Sequence, residues 1–259
     1  MALQRQYTTI QLSQLHDGVC TLTFNRPHVK NAMNTTLFLE VIEALQSAAS
    51  DPDICVLMLT GAGDGFTSGR DLKEPAKDYG HYTASPEYQF MRAIMAFPKP
   101  LVAAVNGLAV GLGVTLLPHC DFAYASARAT FFTPFARVGL APEFGSSVLF
   151  ERRMGRTVAN EMLVLGRKLT AVEAKGYGLV GEVFPDEGFE EAVRARCVAI
   201  RNATADPGLS ARTLVLYKQI QRESHGDLNE VLHNEWRFLA ARSASDDHRL
   251  ARRLMKAKL

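Results

Sequence analysis

The chain has 259 residues, 47% hydrophobic and 22% charged, which is ordinary globular material with enough apolar content for one α/β domain and a sizeable core. Its 29 basic and 27 acidic residues leave a net charge of +2, too even a balance to mark a nucleic-acid surface.

In chain order, the N-terminal MALQRQYTTIQL has no apolar stretch of the signal-peptide kind. Cys20, Leu22 and Phe24 alternate with Val19, Thr21 and Thr23, which predicts a half-buried strand closed by a turn at Pro27. Leu37, Phe38, Val41, Ile42, Leu45, Ala48 and Ala49 then recur at helical spacing. Asn34, Thr35 or Thr36 serves as N-cap, and Asp51-Pro52 ends the helix. The apolar runs ICVLMLT and LVAAVN predict strands covered on both faces of a mainly parallel sheet. DFAYAS and VGEVF predict further short strands, and residues Val158 to Leu165, Val172 to Tyr177 and the stretch from about Ser210 onward predict helices. No linker or low-complexity tract divides the chain, and the class is α/β.

Cys20, Cys55, Cys120 and Cys197 lie far apart with no paired spacing, which predicts small reduced thiols and argues against a disulfide framework or a zinc site. The longest nearly apolar run, Leu108 to Leu117, is too short and glycine-bearing to cross a membrane.

Two glycine-rich loops, GAGDGFTSGRDL and NGLAVGLG, each follow a buried strand and are predicted to leave the same sheet edge. Neither has the G-x-G-x-x-G spacing of a dinucleotide site, and Ser68 and Ser146 do not stand in the G-x-S-x-G context of a hydrolase elbow. Tight turns alone would explain one such loop. Two of them point to backbone N–H groups converging on one ligand oxygen.

NRPHVKNAMN, GAGDGFTSGRDL, AVNGLAVGLG and LTAVEAKGYGLVGEVFP, in this order across nearly the whole chain, resemble the crotonase, or enoyl-CoA hydratase/isomerase, superfamily. The resemblance implies a spiral of β-β-α repeats over residues 1–200. It further implies a C-terminal helical trimerisation region over 201–259 of the same fold, assembling as a homotrimer or hexamer. It also implies an acyl-CoA thioester substrate, with coenzyme A part of the substrate and no separate cofactor or metal. By motif matching, the oxyanion-hole N–H groups are those of Arg70 and Leu112, and Ser68, Gly69, Arg70, Asp71, Leu72 and Gly111 line the substrate site. Arg26, Lys30 and Lys73 are candidate phosphate contacts, and His119 reads as a satisfied core histidine.

The two glutamates usual in hydratases are replaced by Thr115 and Phe135, which disfavours hydration. The segment TPFARVGLAPEFGSS resembles that of peroxisomal 3-enoyl-CoA to 2-enoyl-CoA isomerases, in which a single glutamate, here Glu143, shuttles the proton. An apolar lining such as Phe135 and Leu140 would raise its pKa. Glutamate after proline also suits a helix N-terminus, and Asp71 could cap a helix beginning near Leu72. The remaining alternatives are an enoyl-CoA hydratase and a catalytically silent acyl-CoA-binding member of the fold. The final Ala257-Lys258-Leu259 is close to a peroxisomal import signal, implying a peroxisome or related organelle if an import receptor reads it and the cytoplasm otherwise.

Overall fold

A computed structural model of the chain describes residues 6–13, 16–75, 77–203, 213–220, 228–243 and 249. The chain begins with an antiparallel pair, β1 (Ile10–Leu12) and β2 (Val19–Phe24), and the helix α1 (Thr35–Ser50). Asn34 caps α1 by accepting from the Leu37 N–H at 3.0 Å. Three β-β units follow: β3 (Val56–Gly61) with β4 (Gly65–Thr67), β5 (Leu101–Val105) with β6 (Leu108–Val110), and β7 (Phe122–Ser126) with β8 (Thr130–Phe132). Helices separate the units, α2 (Pro86–Ala96) after the first, α3 (Leu112–Thr115) after the second, and α4 (Ser146–Met154) and α5 (Arg156–Leu163) after the third. Then come β9 (Leu169–Thr170), α6 (Ala171–Gly176), β10 (Glu182–Phe184), α7 (Phe189–Arg201), α8 (213–220) and α9 (Leu228–Ser243).

The first strand of each unit joins one sheet, ordered β1-β2-β3-β5-β7-β10, and the second joins another, ordered β4-β6-β8-β9. All neighbours are parallel except β1 with β2 and β8 with β9. The chain thus steps from the first sheet to the second three times; it returns through a helix directly after the first two units, and after the third by way of β9 and α6 to β10. Successive corners stack so closely that a Cβ on Gly107 would lie 1.9 Å from the Asp64 carbonyl oxygen, so no other residue fits there.

Alternate residues of the first sheet serve two cores. Leu22, Phe24, Leu57, Leu59, Ala103 and Val105 face the main core, and Val19, Val56, Met58, Val102 and Ala104 face a second one completed by Phe189, Val193 and Cys197 of α7. This corrects the half-buried reading of β2. Its threonine face is covered by α7, from which Arg194 reaches the Thr21 hydroxyl at 3.3 Å. The helices expected at 158–165 and 172–177 begin earlier, at Arg156 and Ala171, because Gly155 and a Thr170–Glu173 capping box set their starts. No helix begins at Leu72. Asp71 instead pairs with Arg26 at 3.0 Å and accepts from the Lys73 N–H at 3.1 Å.

The NRPHVKNAMN segment ties the first turn to the β3–β4 corner. Lys30 and Asn31 adopt left-handed backbone (φ +53° and +56°), which turns the fully buried Asn31 side chain inward. Its amide nitrogen donates to the Ala62 and Gly65 carbonyls, both at 2.9 Å, and its Oδ1 accepts from the Arg26 N–H. The Thr67 hydroxyl donates to the Asn31 carbonyl at 2.7 Å.

Of the expected C-terminal region, Leu232 and Trp236 of α9 join the main core, and Leu216, Tyr217 and Ile220 of α8 are exposed. The Ala257-Lys258-Leu259 tail lies outside the described residues. Among the described residues, no helix is long and apolar enough to cross a membrane, and no cluster of metal-ligating side chains occurs. All four cysteines are free.

Asn31→Ala removes the three hydrogen bonds made by a fully buried side chain. It should cost about 2 to 4 kcal/mol of stability, read as a lowered midpoint in urea unfolding.

Candidate active site

The two glycine loops meet. Gly69, with φ +78°, lies so near the second loop that a Cβ there would stand 2.5 Å from the Val110 oxygen and 3.4 Å from the Leu112 nitrogen. The first loop is pinned by a short bridge to Met33, whose N–H donates to the Gly69 oxygen at 2.8 Å and whose carbonyl accepts from Asp71 N–H at 2.9 Å. Between those two bonded positions, the Arg70 N–H has no acceptor among the described residues. The same holds for the Leu112 N–H, which opens α3 directly after Gly111 (φ +52°). Two main-chain donors are thus presented by two touching turns.

Both turns line a cavity of about 90 Å³. Ser68, Gly69, Arg70, Leu72, Gly111 and Leu112 all face it, as does Glu143 from the segment before α4. Of the residues expected to line the substrate site, Asp71 is the exception, since its carboxylate is turned to Arg26. Arg26 is in turn held inside by Asp71 and the Ala32 carbonyl, so it is a structural tie. Phe135, Val138 and Leu140 supply the apolar wall.

Glu143 is 7% exposed, and among the described residues nothing forms an ion pair or hydrogen bond with its carboxylate. Burial pushes its pKa well above the ordinary carboxylate range, the nearby Glu87 adds to the rise, Arg70 opposes it, and Glu235 contributes further repulsion. The turn that follows is held from both sides. Phe144 and Gly145 are both left-handed (φ +59° and +74°). His119 Nε2 donates to the Phe144 carbonyl at 2.7 Å, and its ring stacks on Phe144 with centroids 4.0 Å apart. Glu235 of α9 accepts from the Gly145 and Ser147 N–H groups at 2.5 and 2.9 Å. Glu143 stands just ahead of α4, which begins at Ser146: its carbonyl accepts from the Ser146 N–H at 3.1 Å, and Glu235 takes the Ser147 N–H.

The enoyl-CoA hydratase/isomerase family model matches residues 14–256. The chain belongs to this family. It is 41% identical over 243 residues to human enoyl-CoA delta isomerase 2, covering 89% of this chain and 59% of that protein. It is 44% identical over 186 residues to the mouse protein named enoyl-CoA delta isomerase 3, peroxisomal, covering 70% and 58%. The chain therefore spans less than two thirds of the length of these relatives. Among solved structures, an enoyl-CoA hydratase/isomerase from Pseudoalteromonas atlantica superposes with a TM-score of 0.85 at 34% identity, over 97% of this chain and 98% of that one.

Within this crotonase framework, the two positions matching the hydratase glutamates carry no acid. Thr115 is fully buried with its hydroxyl on the Leu112 carbonyl, and Phe135 is part of the apolar wall. The cavity nevertheless holds a second carboxylate, Glu87 from the first turn of α2, together with Trp236 from α9. Sequence reasoning missed both, and Glu235 with them. Ser85-Pro86-Glu87 reads as an ordinary capped helix start, and Ser85 does accept from the Tyr88 N–H at 3.2 Å. Trp236 reads as one more residue of an apolar stripe, although its buried indole N–H has no acceptor among the described residues.

A carboxyl whose pKa rises on folding stabilises the fold only while protonated. Its contribution is complete below the ordinary value of about 4.3 and is lost as pH climbs through the raised value. Glu143→Gln, neutral and of the same shape, should therefore raise the melting temperature by a few degrees at about pH 8 and change it little at about pH 4. Thermal melts at the two pH values check this.

Proposed function

We propose that the chain isomerises 3-enoyl-CoA to 2-trans-enoyl-CoA in fatty-acid β-oxidation, with Glu143 as a one-base proton shuttle and the Arg70 and Leu112 N–H groups as the oxyanion hole. The observation that carries this reading is a buried, unpaired carboxylate sharing an apolar-walled cavity with two unbonded main-chain donors. In this mechanism the Glu143 carboxylate removes a C2 proton, and the C–H bonding pair flows into the thioester to give an enolate held by the two N–H groups. The Glu143 acid then delivers the proton to C4. The C3=C4 bond is lost, C2=C3 forms, and the carboxylate is restored. Coenzyme A is part of the substrate, and no further cofactor enters.

A raised pKa suits this task, because a stronger base is a better match for a weakly acidic C–H, and an apolar wall excludes competing water. Isomerisation moves a proton and adds no water, so it needs no acid at position 115 or 135. The delta isomerase names of the relatives support the same choice. The reading extends to a homotrimer or hexamer, supported by the exposed apolar residues of α8, and to a peroxisomal location, supported by the name of the mouse relative.

Incubation with a 3-enoyl-CoA should produce the absorbance of the conjugated 2-enoyl thioester. Glu143→Gln should lower kcat by about 10² to 10⁴. Leu112→Pro deletes one donor at a first helical position that tolerates proline, and should lower kcat by about 10² to 10³. Tight acyl-CoA binding without turnover in the unmodified protein would replace the isomerase by a silent binding protein, and hydration of a 2-enoyl-CoA in place of isomerisation would make it a hydratase.

A further inference from the structure

Two carboxylates and one guanidinium meet in the cavity. Among the described lining residues, Arg70 is the single cation, and it stands on the turn whose N–H serves the thioester oxygen in the reading above. Both acids line the same cavity as its side chain. It pairs with Glu87, Arg70 Nε lying 3.2 Å from Glu87 Oε2, and Glu143 has no such partner. Glu87 is 5% exposed and Arg70 is its only ion-pair or hydrogen-bond side-chain partner among the described residues.

The charged groups facing the two acids come from four elements. Glu143 feels Glu87 from α2, Arg70 from the turn after β4, and Glu235 from α9; Glu87 feels Arg70 and, from the loop after that turn, Glu74. A guanidinium bound to Glu143 would occupy the oxygens that must reach the C2 proton, and would weaken the base. We propose that Glu87 is a positioning residue, whose carboxylate holds the Arg70 guanidinium on the α2 side of the cavity and leaves Glu143 without an ion-pair partner. This rests on Glu143 being the base.

The arrangement gives Arg70 a place that does not disturb the turn. Its backbone donor stays in the hole, and its side-chain charge is cancelled a short distance away. Burial is the largest influence on Glu143, Glu87 and Arg70 act on it in opposite senses so that their charges partly cancel there, and Glu235 adds the smallest repulsion.

The test is the pH dependence of kcat for 3-enoyl-CoA isomerisation in the full chain, from about pH 5 to 9, for the unmodified protein, Glu87→Gln, Arg70→Leu, the double variant and Glu143→Gln. Glu87→Gln frees the guanidinium to swing to Glu143. Its acidic limb should move down by about one pH unit and its plateau kcat should fall about tenfold. Arg70→Leu should move the limb the other way, up. In the Arg70→Leu background, adding Glu87→Gln should cost less than about twofold in plateau kcat, since no guanidinium is left to hold. A Glu87→Gln profile that superimposes on the unmodified one overturns the proposal. So does a loss that persists in the double variant, which would make Glu87 a prop for α2 alone. If Glu87→Gln fails to fold, Glu87→Met, uncharged and of similar volume, takes its place alone and in the Arg70→Leu background with the same expected and overturning outcomes. Full activity of Glu143→Gln would instead remove the base itself, whatever residue 87 does.

Discussion

The close approach of Gly69 to Val110 and Leu112 is the contact on which the rest depends. It requires a residue without a side chain, a left-handed backbone and two stacked sheets whose corners nearly touch. The β-β-α path supplies the stacking, because each turn of the spiral lays its second strand beside the previous one. Asn31, Thr67 and Met33 supply the lateral ties that stop the first loop from sliding along its neighbour. The result is a pair of N–H groups whose direction is set by main chain alone. Side chains at these positions are free to serve other ends, and at Arg70 one does.

Much of the fold was legible because burial on both faces writes itself as uninterrupted apolar runs, and β3 and β5 are such runs. β2 was misread for an instructive reason. Its threonines are polar enough to mimic a solvent face, yet they fit beneath α7 because their hydroxyls are small and one of them meets Arg194. Asp71 misled in the opposite sense, since an acidic residue just past a glycine turn looks like a helix cap until a half-buried arginine elsewhere claims its carboxylate.

The site was legible only in part. Glycine loops after buried strands disclose main-chain donors, but residue-level choices at Arg70, Leu112 and Glu143 came through resemblance to a family. Glu87, Glu235 and Trp236 gave no local signal. Each sits in an unremarkable helix and acquires its meaning from a partner far away in the chain, as Glu235 does from Gly145, 90 residues earlier. Periodicity reports what a helix does with its apolar face. It is silent on which of several acids that helix turns toward a distant loop.

The bond from Glu235 to the Phe144–Gly145 turn also bears on the order in which the molecule is completed. The turn that presents Glu143 has two external supports, His119 from within the spiral and Glu235 from α9. A chain emerging from the ribosome can lay down every strand of both sheets while still lacking the second support. The corner that carries Glu143 therefore gains its second support only after every strand has been made, and a chain cut short before α9 would keep its sheets while leaving that corner tethered on one side alone.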